Sequence, residues 1–412
     1  MRSTVLLAAW LLIAVPGIAQ EAPAPEPTTL AEVLAAGRAQ SPQIAAARSR
    51  EQAAMAAAGV AGRWTNPALE FRSENWGAPS PGLRHDSFVT VTQRLELGGK
   101  RGARRGAAQA GAQAARADAL STMRAIEGEL AGRFLDAVRL RDRARILSEQ
   151  RHALDELVRV LEHRVAEGFA PDADRARLAA ERAAVVMTLT RAETAAGRAF
   201  LDLQALAALP ESATAAALVR PGPVPLPAGD AKALAAAAAA TRPDVRSAAA
   251  RVEKAERALG LQNSLRIPDL ILNTGVKRTL DTNTGVLAVG VGLPFFDRNQ
   301  VAATLARGEV RAAELERDFV TRRAEADAVA ALRTARRLAE AASGADAQLV
   351  GPATIARTAM RSAFDLDAAD PLRVVDAERA FADARLLAND IRIEAVAAAV
   401  AARLALGEAP LP

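Results

Sequence analysis

The side chains that most often carry chemistry are scarce in this sequence of 412 residues. It has no Cys, and its three histidines are His85, His152 and His163. Without thiols there is no disulfide framework, no thiolate metal site and no Cys nucleophile. His152 and His163, 163 − 152 = 11 residues apart, would share a helix face but stand about 16 Å apart along it, too far to chelate one ion. His85 is isolated from both, so no metal site is predicted. The run Gly98-Gly99-Lys100-Arg101-Gly102-Ala103-Arg104-Arg105 has the glycines and bases of a phosphate loop. It lacks the Walker spacing, however, and Arg101 stands where Ser or Thr must follow the lysine. A glycine junction between strand and helix, with basic residues near lipid headgroups, accounts for it better. There is no HExxH, nucleophile elbow or dinucleotide fingerprint, so neither cofactor nor catalytic residue is predicted and the chain is not read as an enzyme. What remains is carboxylates: Asp365, Asp367, Asp370 and Asp376 crowd one stretch, and Asp172 and Asp174 another. At helix N-termini such groups are merely favourable caps. Gathered by several chains around a narrow axis, they would repel one another, attract cations and respond to protonation or to a partner's basic groups.

The elements that must hold these residues follow from composition and pattern. Half the residues are hydrophobic but only 3% are aromatic, which disfavours one thick core filled with rings and favours long, closely packed helices. The net charge is 53 − 48 = +5, and acids and bases are interspersed. That pattern describes solvated helix faces, so no nucleic-acid partner is predicted. Arg2, the apolar stretch from Val5 to Val15 and the small residues Gly17 and Ala19 form a secretory signal peptide over 1–19. No other segment has 18 consecutive apolar residues, so entry into a membrane would have to be by β-strands.

The chain repeats itself. Ser41-Pro42-Gln43-Ile44 matches Arg242-Pro243-Asp244-Val245, and Asn66-Pro67-Ala68-Leu69 matches Ile267-Pro268-Asp269-Leu270; Ala180-Glu181-Arg182-Ala183 later matches Ala377-Glu378-Arg379-Ala380. Two copies, 20–208 and 230–412, are joined by a Pro-rich linker at 209–229 that excludes regular helix or central strand. Each copy reads as a helix (30–62, 231–264), two strands and a long helical hairpin. The strands alternate: Leu69 and Phe71 against Glu70 and Arg72; Val89 and Val91 against Thr90 and Thr92; Leu287, Val289 and Val291 against Ala288 and Gly290. Ordinary soluble hairpins alternate in the same way, whereas strands of about ten residues also suit a tilted transmembrane β-strand. The helices tip the balance. No Pro interrupts 99–168, about 100 Å of helix, and Leu140, Leu147, Leu154 and Leu161 recur at sevens, the spacing of a coiled-coil seam. The second long run, 300–364, is interrupted only around 344–352. Turns at 168–171 and 364–371 lead into return helices at about 172–208 and 372–407.

With these features the chain resembles the TolC-like outer membrane efflux family over nearly all of the mature sequence. The resemblance rests on the two-fold repeat and on Asn66-Pro67-Ala68-Leu69-Glu70-Phe71, Gln93-Arg94-Leu95-Glu96-Leu97-Gly98-Gly99-Lys100-Arg101, Gly292-Leu293-Pro294-Phe295-Phe296-Asp297 and Val375-Asp376-Ala377-Glu378. The first two motifs are most similar to the branch serving heavy-metal (cobalt–zinc–cadmium type) pumps of the RND class. The fold it implies is mainly α with transmembrane β: a homotrimer whose twelve-stranded outer membrane β-barrel continues as a periplasmic α-helical barrel. Chain physics agrees that one copy is not enough, since four strands cannot close a barrel in lipid. Segments 77–85 and 278–284 become outer loops, and Trp64, Phe295 and Phe296 lie at strand ends where interfacial aromatics are expected. By the resemblance Asp376 stands near the channel aperture, with Asp370, Asp367 and Asp365 nearby and Arg373 where an acidic residue is common in the family. The tip residues Gly168, Phe169, Ala170 and Phe364 would meet a periplasmic adaptor. The implied function is a passive exit duct of a tripartite efflux system in the Gram-negative outer membrane. It would be fed by an inner-membrane RND transporter and the adaptor, with heavy-metal cations as cargo. A duct for drugs or secreted polypeptides is the alternative within this architecture, and a soluble periplasmic coiled-coil scaffold or adaptor the alternative outside it.

Overall fold

The computed structural model describes residues 28–77, 82, 84–366 and 368–411. The signal peptide, the lead-in up to residue 27, Asp367 and part of the 77–85 loop lie outside the described residues. The element order is α1 (Leu30–Gln40), α2 (Pro42–Val60), β1 (Ala68–Glu74), β2 (Asp86–Leu95), α3 (Lys100–Ala166), α4 (Asp172–Ala207), α5 (Ala231–Ala239), α6 (Pro243–Ser264), β3 (Leu270–Thr279), β4 (Thr282–Val291), α7 (Gln300–Ala345), α8 (Gly351–Asp365) and α9 (Pro371–Ala405). The same order thus runs twice: short helix, helix, strand pair, long helix, return helix.

The sequence predicts one leading helix per copy; each is two. At both breaks a proline opens the second helix, and the residue before it is extended, Ser41 with ψ 120° and Arg242 with ψ 135°. The proline ring disfavours helical geometry in the preceding residue but suits the first turn of a new helix. α1 itself starts on a capping box, in which the Thr29 hydroxyl accepts from Glu32 N–H and the Glu32 carboxylate accepts from Thr29 N–H at 2.7 Å. Both hairpins match expectation closely. α3 is one unbroken helix of 67 residues, about 100 Å long. The interruption in the second copy is a π-helical turn, Asp346–Val350, which carries α7 into α8 without ending the helix. The extra residue of such a turn absorbs Gly351-Pro352, whose ring cannot donate into an α-helical ladder.

Four strands form one antiparallel sheet in the order β1-β2-β3-β4, with β2 paired to β3 over its whole length from Asp86 opposite Thr279 to Leu95 opposite Leu270. β1 is shorter than its alternation implied, because Asn75 adopts φ 56° and turns the chain. The segment 278–284, read as an outer loop, is instead mostly strand: Thr279 pairs with Thr282 across a two-residue turn at Leu280 and Asp281. Its positive φ at Leu280 belongs to the turn class that matches strand twist.

The helical cores are separate along the length of the molecule. Beneath the sheet region Val33, Leu34, Leu130, Phe134, Val138, Leu203 and Ile393 pack together, with Leu218 of the linker completing the cluster. The linker is therefore pinned: Thr28 and Leu218 form a parallel bridge, and Arg141 donates to the Leu218 carbonyl. In the second copy the equivalent region is built from Ala231, Ala235, Ala328, Leu332 and Ala335, small residues that let α5, α7 and α9 approach closely. A third core closes the far end, where Leu154, Leu157, Leu161, Leu178, Val185, Phe364, Val374 and Val375 join α3, α4, α8 and α9. Three of the four heptad leucines, Leu147, Leu154 and Leu161, are buried, each stabilising by about 1.5–3 kcal/mol relative to exposure.

Candidate functional site

Cross-strand register sorts the sheet into two chemically distinct faces. Directly opposed residues share a face, so Leu69-Val91-Thr274-Leu287, Phe71-Val89-Val276-Gly285 and Leu95-Leu270-Val291 lie on one side. On the other lie Glu70-Thr90-Gly275-Val286, Arg72-Phe88-Lys277-Thr284, Glu74-Asp86-Thr279-Thr282 and Ala68-Thr92-Asn273-Ala288. The apolar face is unpartnered: Leu69, Phe71, Val89, Leu287, Val289 and Val291 are all exposed. The polar face is knitted together. Lys277 Nζ stands 2.7 Å from Asp86, Asn273 donates to Thr92 at 2.8 Å, and Phe88 is a platform for the Arg72 guanidinium at 4.6 Å and Lys277 at 5.3 Å. Gly275 is required in this wall, since a Cβ there would meet the Val89 carbonyl oxygen at 2.1 Å. Among the described residues, the outer edges of β1 and β4 pair with no strand.

Below the sheet the chain enters α3 through Gly98 and Gly99, both with φ near 70°, a backbone state open to glycine at little steric cost. Arg104 braces this junction. It donates to both oxygens of Glu96, at 2.5 and 2.9 Å, and to the carbonyls of Ala61 and Arg63. Those hydrogen bonds outweigh burial and hold the Glu96 carboxyl below its ordinary range. Lys100, almost fully buried, reaches Asp269 at 2.5 Å and ties the head of α3 to the start of β3. The aromatics at the strand ends are surface groups: Trp64 is exposed beneath Arg101, 4.9 Å from its ring, and Phe295 and Phe296 are exposed between β4 and α7.

At the opposite end the predicted tip residues divide. Asp365, Asp370, Arg373 and Asp376 are all exposed on or beside the turn between α8 and α9. Asp370 also caps α9, accepting from Leu372 N–H at 2.8 Å. Phe169 is 79% exposed beside Gly168, whose φ is 84°, and half-buried Ala170. Phe364 is only 3% exposed. It cannot present its ring to a partner; it fills the tip core, stacked 4.4 Å from Arg164.

Sequence reading missed a set of buried carboxylates. Glu378, 2% exposed, accepts from Arg357 Nε at 2.8 and 3.0 Å and lies 2.9 Å from Arg361 Nε. Asp142 accepts from Arg141 at 2.7 and 3.0 Å and from the linker's Arg220 at 2.9 Å, while Arg220 continues to buried Asn389. Glu127 accepts from Arg38 at 2.5 Å and Arg124 at 2.7 Å. Their only sequence signal was polarity at positions a heptad or helix stripe assigns to the core. Between the two hairpins run further pairs, Arg361 to Glu156, Arg379 to Glu181 and Arg385 to Glu149. Among the described residues no group of three or more His, Cys, Asp or Glu could hold a metal ion, and no helix is long and apolar enough to cross a membrane.

No family model matches the chain. It is 31% identical over 319 residues to the nickel and cobalt resistance protein CnrC of Cupriavidus metallidurans, covering 76% of this chain and 73% of that one. It is 27% identical over 334 residues to the nickel-cobalt-cadmium resistance protein NccC of Alcaligenes xylosoxydans xylosoxydans, covering 80% and 74%. Among solved structures, the outer-membrane channel OprN superposes with a TM-score of 0.76 at 18% identity over 93% of this chain and 91% of that one. The outer membrane protein VceC of Vibrio cholerae superposes with a TM-score of 0.75 at 20% identity over 92% and 96%. The structural matches establish the fold; joined to the identity with the metal-resistance proteins, they show that this chain belongs to the TolC-like outer membrane efflux protein family, in its heavy-metal resistance branch.

Proposed function

We propose that three copies of this chain form the outer membrane exit duct of a tripartite efflux system for heavy-metal cations. The observation that carries the reading is the four-stranded sheet with one apolar face, one polar face and two open edges. An open edge in lipid leaves backbone groups without hydrogen bonds, and four strands are too few to close; three sheets edge to edge give twelve. The apolar faces then meet lipid and the polar faces a water-filled lumen. The two repeats, 20–208 and 230–412, supply alternate segments of the wall, with 209–229 as the strap between them. The long helices carry the lumen through the periplasm, where Asp376, Asp370 and Asp365, with Arg373, surround the aperture. Exposed Phe169, with Gly168 and Ala170, meets the adaptor, which links the duct to an inner-membrane RND pump. The duct is passive; energy and most selectivity reside in the pump. Metal cargo is supported by the resistance proteins to which the chain is most usefully compared, which are named for nickel, cobalt and cadmium.

The test is disruption of the gene followed by growth on nickel, cobalt, zinc, cadmium, copper and several antibiotics, alongside the state of the protein in outer membrane fractions. Metal sensitivity and heat-modifiable, trypsin-resistant trimers are expected. Antibiotic sensitivity alone would reassign the cargo, and a monomer washed free by carbonate would refute the duct.

A further inference from the structure

The basic run at the head of α3 is more than a junction. Around it stand Arg63, Arg94, Lys100, Arg101, Arg104 and Arg105, but only two carboxylates, Glu96 and Asp269, are paired with them. Arg104 occupies both oxygens of Glu96, and Lys100 occupies Asp269, with Arg94 4.0 Å away. Among the described residues, Arg63, Arg101 and Arg105 have no carboxylate within ion-pair distance; Arg101 lies instead over Trp64. These three arginines line one groove of about 510 Å³ between the end of α2 and the first turns of α3, with Gly59, Gly102 and Gln109 among its walls. A Cβ at Gly59 or Gly102 would meet nothing within 4 Å, so both glycines face open space. α3 begins at Gly99 with no side-chain cap, leaving its first N–H groups and the positive end of its dipole beside the arginines.

Three unpaired guanidiniums around an open cleft match the oxygens of a phosphate, which they can bind in forked pairs. We propose that this groove binds the phosphate of an anionic phospholipid headgroup in the periplasmic leaflet. The assignment rests on the reading that the sheet stands in the outer membrane, because that places the groove, just below β1, at headgroup depth. Lipid rather than free phosphate is favoured by the rim: Trp64, exposed beside the groove, offers an apolar surface where an acyl chain would begin, as interfacial tryptophans do. The groove is built within one chain, so each copy in a trimer carries its own.

The experiment uses the full chain purified as a trimer in zwitterionic detergent, delipidated, and titrated with phosphatidylglycerol, phosphatidylcholine or inorganic phosphate while bound ligand is counted by native mass spectrometry. The wild type should retain phosphatidylglycerol in preference to phosphatidylcholine. The triple variant R63Q/R101Q/R105Q should bind it about tenfold more weakly or worse, and R63K/R101K/R105K, which keeps the charge but loses the fork, should recover only a part. Equal retention by the Gln variant, still a heat-modifiable trimer, would overturn the proposal while leaving the duct intact. Binding of inorganic phosphate as tight as that of phosphatidylglycerol would overturn the lipid assignment. A wild type that never reaches the outer membrane would refute the duct, and the lipid site would fall with it.

Discussion

Replacing Glu378 by Gln should loosen the periplasmic tip without unfolding the rest of the molecule. Glu378 is 2% exposed and pairs with two guanidiniums, those of Arg357 and Arg361, at 2.8 to 3.0 Å. Removing one partner from a fully buried ion pair costs about 3–5 kcal/mol. Here the arginines are 29% and 33% exposed, so water compensates part of the loss, and Gln keeps an acceptor for one N–H. About 2 kcal/mol remains, which corresponds to roughly 30-fold in an opening equilibrium. Because Arg361 also reaches Glu156 on α3 and Arg357 stacks 4.6 Å from Phe381 on α9, the opening should be confined to α8 and the first half of α9. Hydrogen exchange on the purified trimer reads this directly: amides of α8 and α9 near Glu378 should exchange about 30-fold faster, while those around Phe134 and Leu203 stay at the wild-type rate. Unchanged exchange in α8 and α9 would refute the claim that this carboxylate holds the two arms of the second hairpin together near the tip. Uniform acceleration everywhere would refute its local character.

Other expectations concern the wall, the junction and the aperture. Val89→Arg puts a charge on the lipid face and should cost about 2–4 kcal/mol near mid-bilayer, cutting the yield of heat-modifiable trimer, whereas Thr284→Arg on the polar face should assemble normally. Glu96 has a depressed carboxyl pKa in the folded chain, so its contribution is present above the ordinary Glu value of about 4.3 and is lost as pH falls through the lower folded value. Acid titration should therefore loosen the β2–α3 junction, read as proteolytic cutting at Gly98 to Gly102, and Glu96→Gln should show that susceptibility already at neutral pH. Asp376→Asn should lower the cation-over-anion permeability ratio of the reconstituted channel; an unchanged ratio would remove Asp376 from the aperture.

How much of this was legible beforehand depended on whether the controlling interaction was local. The turns at Gly168 and Asp370 and the return helices could be placed because glycine, proline and heptad leucines act over a few residues. The breaks before Pro42 and Pro243 used equally local chemistry, but the Ala-rich stretches on either side masked them as continuous helix. Strand faces were visible in the alternation, while the turn between β3 and β4 was misjudged because Thr279, Thr282 and Thr284, which read as loop, are strand residues on the polar face. The charge networks were not visible at all. Glu127 meets Arg38 from 89 residues away, and Asn389 donates to the Arg139 carbonyl from 250 residues away, separations at which no periodicity carries information. For the same reason the linker was legible as irregular chain but not as a fastened strap: Arg220 finds Asp142 only once α3 and α9 lie side by side. At the tip, Phe169 and Phe364 look alike in sequence; only the four-helix core decides which ring is enclosed.

The unpaired rims of β1 and β4 also fix an order of events. A newly exported copy has no resting place of its own in hydrocarbon, because two rows of peptide groups would be stranded there. Copies must meet before or while they insert. For the proposed three-copy duct, delivery to the bilayer then rises steeply, up to the third power, with the supply of monomer when that supply is low. Solitary molecules meanwhile wait in water with greasy ribbons uncovered, sticky cargo for whatever holding factors patrol that space.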